Sequence, residues 1–178
     1  MMFLDGDENG PRGPAMIRVA DETRPHRIHE RTLLGVSTEM CGATGYPFTV
    51  LLPEHPLFAG TGVVDGSEIG AAGLNTGGGK YNGAASAWEV DTSDGPRSRS
   101  LGCNYENCPV IQSGLPAGLQ VLARANPGGT GGETRGEITF YRHPGGGFVF
   151  SAGSITFGGS LVIDPQLQQL MRNVMSLD

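Results

Sequence analysis

Basic charge is scarce in this chain, and the shortage excludes several classes of partner. The sequence has 12 lysine and arginine residues against 18 aspartate and glutamate residues, for a formal net charge of −6, and Lys80 is its single lysine. The arginines are scattered along the chain. Because nucleic acids and anionic membranes are bound through a basic face, we expect neither as a partner.

Long hydrophobic runs and cysteines are also scarce. No run approaches the roughly 18 apolar residues that a membrane-spanning helix needs. The start, Met1–Asp7, lacks the basic region and apolar stretch of a signal peptide. Cys41, Cys103 and Cys108 are too few for a disulfide scaffold. These shortages predict a protein of the reducing cytoplasm.

Glycine, in contrast, is abundant: 30 of the 178 residues are glycine, whereas an average protein has about 7%. Glycines cluster at 77–79, 128–132 and 145–147, between β-like runs and with no collagen period. This distribution predicts turns and loops in a single domain spanning residues 1–178.

Alternating apolar residues and turn signals predict a β-rich chain. The predicted strands are Met1–Leu4, Ala15–Val19, Pro47–Leu52, Ala85–Asp91, Leu119–Ala125, Glu137–Arg142 and Phe148–Ser154. Pro56–Gly70 is predicted to be a connector with one helical turn at most. The last two strands should form an antiparallel hairpin across Pro144–Gly147 and lie beside Leu119–Ala125.

One helix is predicted, over Pro165–Leu177. Asp164 is a good N-cap, and a proline at the first helical position has no amide hydrogen bond to lose. Its apolar stripe, expected to face the sheet, comprises Leu167, Leu170, Met171 and Val174. The predicted fold class is α/β, with a mostly β core and a helix docked on it.

Three motifs imitate ligand sites but lack residues that those sites need. Asp5–Gly10 resembles a calcium loop, yet Met16 stands where the closing glutamate should be, which favours a plain turn. Gly77–Lys80 lacks the first glycine and the hydroxyl residue of a phosphate loop. Cys103 and Cys108 have no zinc spacing and are interpreted as neighbouring loop cysteines, reduced or weakly linked.

Cys41 and Glu89 carry side chains that could act in catalysis. A nucleophile elbow needs small residues two positions either side of Cys41, and Glu39 occupies one of those positions, which disfavours that role. Glu89 follows Trp88 on a predicted strand after a glycine-rich loop. An apolar neighbour favours the protonated form of a carboxyl group, which suits an acid or base. Alternatively, Glu89 and Asp91 form only the polar face of a half-buried strand.

Several segments, in order, resemble the C-terminal domain of the N,N-dimethylformamidase large-subunit family. They are His55–Gly62 with Gly66 and Ile69-Gly70, Ala84–Asp91, Leu122–Asn126, Gly145–Thr156 and Arg172–Val174, with Met2–Leu4 and Ile17–Val19 also similar. The block Gly145–Thr156 is the specific part of the resemblance. Residues Asp21–Thr44 match poorly.

The resemblance implies part of a class I glutamine amidotransferase-like, three-layer sandwich, of which this chain would be the C-terminal half. It also implies hydrolysis of a small amide with one iron, held by two tyrosines and a glutamate upstream of the matched segment. No iron ligand is therefore assigned in this chain, and Tyr46, Tyr81, Tyr105 and Tyr141 lie in no ligand motif. Glu89 stands at the glutamate of the family's active-site stretch and is the single candidate catalytic residue.

Two functions remain open at this point. The chain could contribute a pocket wall and Glu89 to an amide hydrolase completed elsewhere, or it could be a non-catalytic binding or scaffold domain. A sheet cut from a sandwich exposes an edge and apolar surface, which predicts a homo-oligomer or a second subunit. The residues expected at that surface are Phe3, Leu4, Phe48, Val50 and Leu52. The alternative is a monomer whose loops cover the sheet.

Overall fold

The computed structural model describes residues 30–74, 83–93, 114–126 and 136–177, with the backbone alone for residues 30–31, 37–43 and 89. The helices in these ranges are α1 (Glu30–Leu34), α2 (Phe157–Leu161) and α3 (Pro165–Met175), and a 3₁₀ turn spans Pro56–Phe58. The strands are β1 (Ser37–Tyr46), β2 (Phe48–Val50), β3 (Glu68–Ile69), β4 (Ser86–Thr92), β5 (Gln120–Ala125), β6 (Glu137–Arg142) and β7 (Phe148–Ser151).

These strands form two antiparallel sheets. The larger, which we call the main sheet, has the order β3-β2-β5-β6-β7. The smaller, the ribbon, pairs β1 with β4. The described core is therefore β-rich with few helices, as the alternating apolar pattern predicted, and its strand pairings are all antiparallel.

The main sheet follows directly from the sequence pattern. β6 and β7 form the predicted hairpin, with Phe140 opposite Phe150 and Arg142 opposite Phe148. Glycines with positive φ at 146 and 147 permit the tight turn between them. β5 lies beside β6, as predicted. The hairpin and its neighbour are confirmed, with β7 ending at Ser151 rather than at Ser154.

The C-terminal helix α3 is capped and docked as predicted. The Asp164 carboxylate accepts hydrogen bonds from the amides of Gln166 (2.8 Å) and Leu167 (3.0 Å). Its other oxygen accepts from the Gly70 amide at the end of β3 (2.7 Å), so the cap also attaches the helix to the main sheet. Leu167, Leu170 and Val174 are buried, whereas Met171 is half-buried.

The hydrophobic core lies between the main sheet and α3. It includes Phe48 and Val50 of β2, Leu122 of β5, Ile138 of β6 and Phe157 of α2. Phe48 and Val50 are fully buried and Leu52 is half-buried. The expectation that Phe48 and Val50 belong to an exposed surface is therefore wrong, because α3 and the turn at Pro56–Phe58 cover this face of the sheet.

The structure also contains elements that the sequence analysis did not predict. β1 runs for ten residues through a region rich in glycine and threonine, and α1, α2 and β3 are short. The predicted strands at Met1–Leu4 and Ala15–Val19 lie outside the described residues, as does most of Asp21–Arg31, a polar and charged stretch for which the sequence predicts a surface loop. So do the turn at Asp5–Gly10, the segment Gly77–Lys80, and Cys103 and Cys108.

Candidate functional site

The candidate residue Glu89 lies in the middle of β4, one of the two strands of the ribbon. The residues that lead into this part of the strand are buried. Ala84, Ala85, Ser86 and Ala87 are all buried. Glu89 follows Trp88, which pairs with Ala43 of β1. The predicted strand around Glu89 is thus confirmed, and Glu89 belongs to the part of the chain described as backbone alone.

β4 is distorted at Trp88. This residue has a φ of +65°, in the left-handed region that bulky side chains rarely adopt. The ribbon also has irregular register, with shifts between each successive pair of β1 positions from Thr38 to Tyr46. Trp88 is 44% exposed although its neighbour Ala87 is fully buried. Left-handed conformations of non-glycine residues are concentrated at functional sites.

The segment that follows β7 holds β4 in this conformation. The Ser154 hydroxyl accepts a hydrogen bond from the Ala87 amide (3.0 Å) and donates to the Ala87 carbonyl oxygen (2.9 Å). Ser154 also forms an isolated β-bridge with Val90, and the Asp91 amide donates to the Gly153 carbonyl oxygen (2.9 Å). The backbone is therefore hydrogen-bonded on both sides of Trp88 and Glu89. We call Gly153–Thr156 the clamp segment.

The end of β4 is attached to the main sheet through a buried carboxylate. Glu137, at the start of β6, is fully buried, and its Oε2 accepts from the Ser93 amide (2.7 Å). Its Oε1 accepts from Nε of Arg124 on β5 (2.7 Å) and pairs with the same guanidinium. Every carboxylate oxygen of Glu137 thus has a charged or backbone donor, as a buried carboxylate requires.

The clamp segment and β6 approach so closely that glycine is required. Gly153 has a φ of +59°, and a Cβ atom there would lie 2.0 Å from the Glu137 carbonyl oxygen. A Cβ at Gly136 would lie 2.3 Å from Oγ of Ser86. Gly153 therefore lets the backbones of the clamp segment and β6 nearly touch, and Gly136 leaves room for the Ser86 side chain of the ribbon at the start of β6.

Among the described residues, His55 and Tyr141 have shifted pKa values. Burial lowers the pKa of His55, against weaker raising effects from the Gln120 side chain and Glu54. His55 Nδ1 accepts from the Leu57 amide (3.3 Å), and its ring meets Phe140 edge-on at 5.0 Å. Burial raises the pKa of Tyr141, whose hydroxyl donates to the Leu33 carbonyl oxygen. Both side chains act here as structural links.

The motifs that support the family resemblance contact one another in the structure. The Asn173 side-chain amide donates to the carbonyl oxygens of Leu57 and Ala59, both at 2.8 Å. Gln169 in turn donates to Asn173 Oδ1 (2.9 Å). The segment His55–Gly62 and the helix residues Arg172–Val174 are therefore one structural unit, in which α3 is attached to the 3₁₀ turn.

The described residues do not form a metal-binding cluster. In the four described ranges, no three His, Cys, Asp or Glu side chains form a group that could hold a metal ion. Cys41 lies on β1, and Tyr46 is half-buried against the core. A shallow hollow on α3, lined by Leu161, Gln168, Met171, Arg172, Met175 and Ser176, contains no candidate catalytic residue.

Sequence reasoning missed the residues that shape the site. It identified Glu89 but assigned no role to Ser154, Gly153 or Glu137. The available signal was the block Gly145–Thr156, which carries the strongest resemblance but contains no acid, base or metal ligand. Its hydroxyl and glycine residues prove to be contacts to β4.

A family model described as N,N-dimethylformamidase beta subunit-like, C-terminal, matches residues 9–170. The chain belongs to this family, so the resemblance identified from the sequence is confirmed. A search among curated proteins finds no match.

Proposed function

We propose that this member of the N,N-dimethylformamidase beta subunit-like family contributes a pocket wall and Glu89 to the hydrolysis of a small amide C–N bond. Membership supports the reaction class. The observation that carries the proposal is the distorted β4, which exposes Trp88 directly before Glu89 and is fixed by the clamp segment. A rigidly held, strained strand is suited to position a catalytic carboxylate.

Glu89 has a defined task in this reaction. Hydrolysis forms a bond between a water oxygen and the carbonyl carbon, breaks the C–N bond, and requires a proton to move from water to the departing amine. The Glu89 carboxylate can accept this proton from the attacking water and then donate it to the amine nitrogen. Such general acid–base catalysis typically accelerates a reaction by about 10²–10⁴-fold.

Iron is the cofactor that the family resemblance implies, and the described residues do not fit it. Tyr141 Oη is committed to Leu33, and the described ranges lack a cluster of three His, Cys, Asp or Glu side chains. As the family resemblance implies, we propose that the iron ligands lie outside this segment. No step of the proposed chemistry is assigned to a metal held by these residues.

The architecture and location belong to the same proposal. The β-rich core and docked α3 would form part of a larger, amidotransferase-like sandwich within a single domain, working in the cytoplasm as a homo-oligomer or with a second subunit. Its substrate would be a small amide, and neither nucleic acid nor a membrane would be a partner. Within the ranges that the structure describes, no helix has the length and apolar character needed to cross a membrane.

The role of Glu89 is tested by Glu89→Gln in an active preparation of the protein, either full-length or with its co-purified subunit. We expect release of dimethylamine from N,N-dimethylformamide to fall by about 10²-fold or more, with little change in KM. Glu68→Gln is the matched control, because Glu68 is an exposed glutamate on β3. Equal rates for Glu89→Gln and the wild type would overturn the proposal.

The placement of the iron ligands is tested on the purified 178-residue chain. We expect neither stoichiometric iron nor turnover of the amide. Stoichiometric iron with hydrolysis would show that the chain is a complete catalyst and that the ligands were misplaced.

A further inference from the structure

The burial pattern of β4 is interrupted at one residue. Alternate residues of a strand share a face. Ser86, Val90 and Thr92 are 1%, 1% and 3% exposed, so this face of β4 is buried. Trp88 belongs to the same series, yet it is 44% exposed. The largest side chain of the strand has therefore left the face to which its position assigns it.

The backbone explains the displacement. A left-handed φ at Trp88 rotates the side chain out of the regular alternation. For a bulky residue this conformation is unfavourable and persists only when the surroundings impose it. Some contact of the folded chain must therefore hold β4 in this state.

The Ser154 hydroxyl is placed to do so. It hydrogen-bonds both polar groups of Ala87, whose peptide directly precedes Trp88. Thr156 Oγ1 also donates to the Ala87 carbonyl oxygen, at 3.5 Å. Ser154 Oγ additionally accepts from the Thr156 amide (3.3 Å), which orders the clamp segment itself.

We propose that Ser154 is a positioning residue, which imposes the left-handed conformation on Trp88 and thereby sets the direction of the backbone that carries Glu89. This role deepens the proposed function and rests on it for its catalytic meaning. Trp88, which is 44% exposed and directly precedes Glu89 in the chain, would also contribute to specificity by offering apolar surface to the alkyl groups of a small amide.

The single tryptophan of the chain makes the conformational part directly measurable. Without the Ser154 hydroxyl, β4 can relax to regular strand geometry and return Trp88 to the buried face. For Ser154→Ala we expect the emission to shift to shorter wavelength and acrylamide quenching to fall by roughly twofold or more, because residues on one face share burial. Unchanged emission and quenching in folded Ser154→Ala would overturn the proposal.

Ser67→Ala is the matched control. Its hydroxyl also accepts from a backbone amide, that of Val64 (2.9 Å), in the turn before β3. We expect its tryptophan emission to equal that of the wild type. A purely structural role of Ser154 would lower the melting temperature and leave the emission of the folded protein unchanged, and that result would count against the proposal.

A second comparison applies even if Ser154→Ala folds poorly. Glycine adopts positive φ without strain, whereas alanine does not. We therefore expect Trp88→Gly to melt at a higher temperature than Trp88→Ala when Ser154 is present. A melting temperature of Trp88→Gly equal to or below that of Trp88→Ala would contradict a left-handed conformation imposed at this position.

The catalytic part is measured in the active preparation. A misplaced catalytic group can lower a rate by about 10²-fold, so we expect Ser154→Ala to lower kcat by ten- to a hundredfold with a smaller change in KM. An unchanged kcat would overturn the positioning role. If Glu89→Gln leaves the rate unaltered while Ser154→Ala shifts the emission, the proposed function fails and the conformational role of Ser154 stands.

Discussion

The main sheet and the ribbon are built on different principles. The main sheet has nearly regular pairing, with one register shift, between Val121 and Ala123, and it provides most of the core side chains. The ribbon has three register shifts over its length and a left-handed residue at Trp88. It is held from outside by the clamp segment and by Glu137. The comparison suggests that the main sheet supplies stability and the ribbon supplies the site.

The two regions meet along a seam of polar and close backbone contacts. Ser154 bonds to Ala87, Glu137 accepts from Ser93, and Tyr141 donates to the Leu33 carbonyl just before β1. Such contacts depend on direction, unlike apolar packing, and therefore fix the conformation of the ribbon rather than only its burial. Three experiments test this division, beginning with the largest expected effect.

Phe48→Ala tests whether stability resides in the main sheet. Phe48 is fully buried and meets Phe157 edge-on, with ring centroids 6.4 Å apart. We expect the free energy of unfolding to fall by about 3–5 kcal/mol, because a large cavity opens in the core. Val64→Ala, at a residue 67% exposed, should change it by less than about 0.5 kcal/mol. Denaturant titration measures both, and similar losses would contradict the assignment of the core.

Gly153→Ala tests the seam itself. The new Cβ would lie 2.0 Å from the Glu137 carbonyl oxygen, and the residue would be held at a φ of +59°. We expect a loss of roughly 2–3 kcal/mol together with a change in Trp88 emission, because the clamp segment must move. Gly158→Ala is the control: it lies in α2 with no heavy atom within 4 Å of its Cβ, and should stabilise the protein by about 0.5–1 kcal/mol. A tolerated Gly153→Ala would show that the seam is not closely packed.

Tyr141→Phe tests the weakest link, between β6 and the residues before β1. Loss of the hydrogen bond to the Leu33 carbonyl should cost about 1 kcal/mol. Burial raises the pKa of Tyr141 above its ordinary value of 10.0. The folded protein therefore resists ionisation that the unfolded chain accepts, so stability falls as the pH rises above 10.0. The part of this fall in stability that is due to Tyr141 should be absent when Tyr141→Phe is melted at a series of alkaline pH values. If the fall is equally large in Tyr141→Phe, another group causes it.

The regular half of the fold could be predicted from local sequence. The hairpin of β6 and β7 follows from alternation around a glycine-rich turn, and α3 follows from Asp164, Pro165 and an apolar stripe. β1 could not be predicted in this way. It contains Gly42 and Gly45, has low strand propensity, and is a strand because it pairs with β4.

The candidate site divides in the same manner. Glu89 could be proposed from its place beside Trp88 and from the family resemblance. The roles of Ser154 and Glu137 could not, because each depends on a partner far away in the chain: 67 residues separate Ser154 from Ala87, and 44 separate Glu137 from Ser93. A serine or glutamate in isolation gives no indication of which distant backbone group it will bond.

By itself, the sequence determined the predominance of β-strands, the C-terminal hairpin and helix, the family, and the identity of the candidate carboxylate. These features depend on residue periodicity and on short-range caps and turns, which a local pattern contains. Tertiary structure alone decided that Phe48 and Val50 are interior, that Trp88 leaves its buried face, and that Ser154 holds it there. Those outcomes arise from long-range contacts, where the hydrogen bonds of one segment outweigh the conformational preference of another.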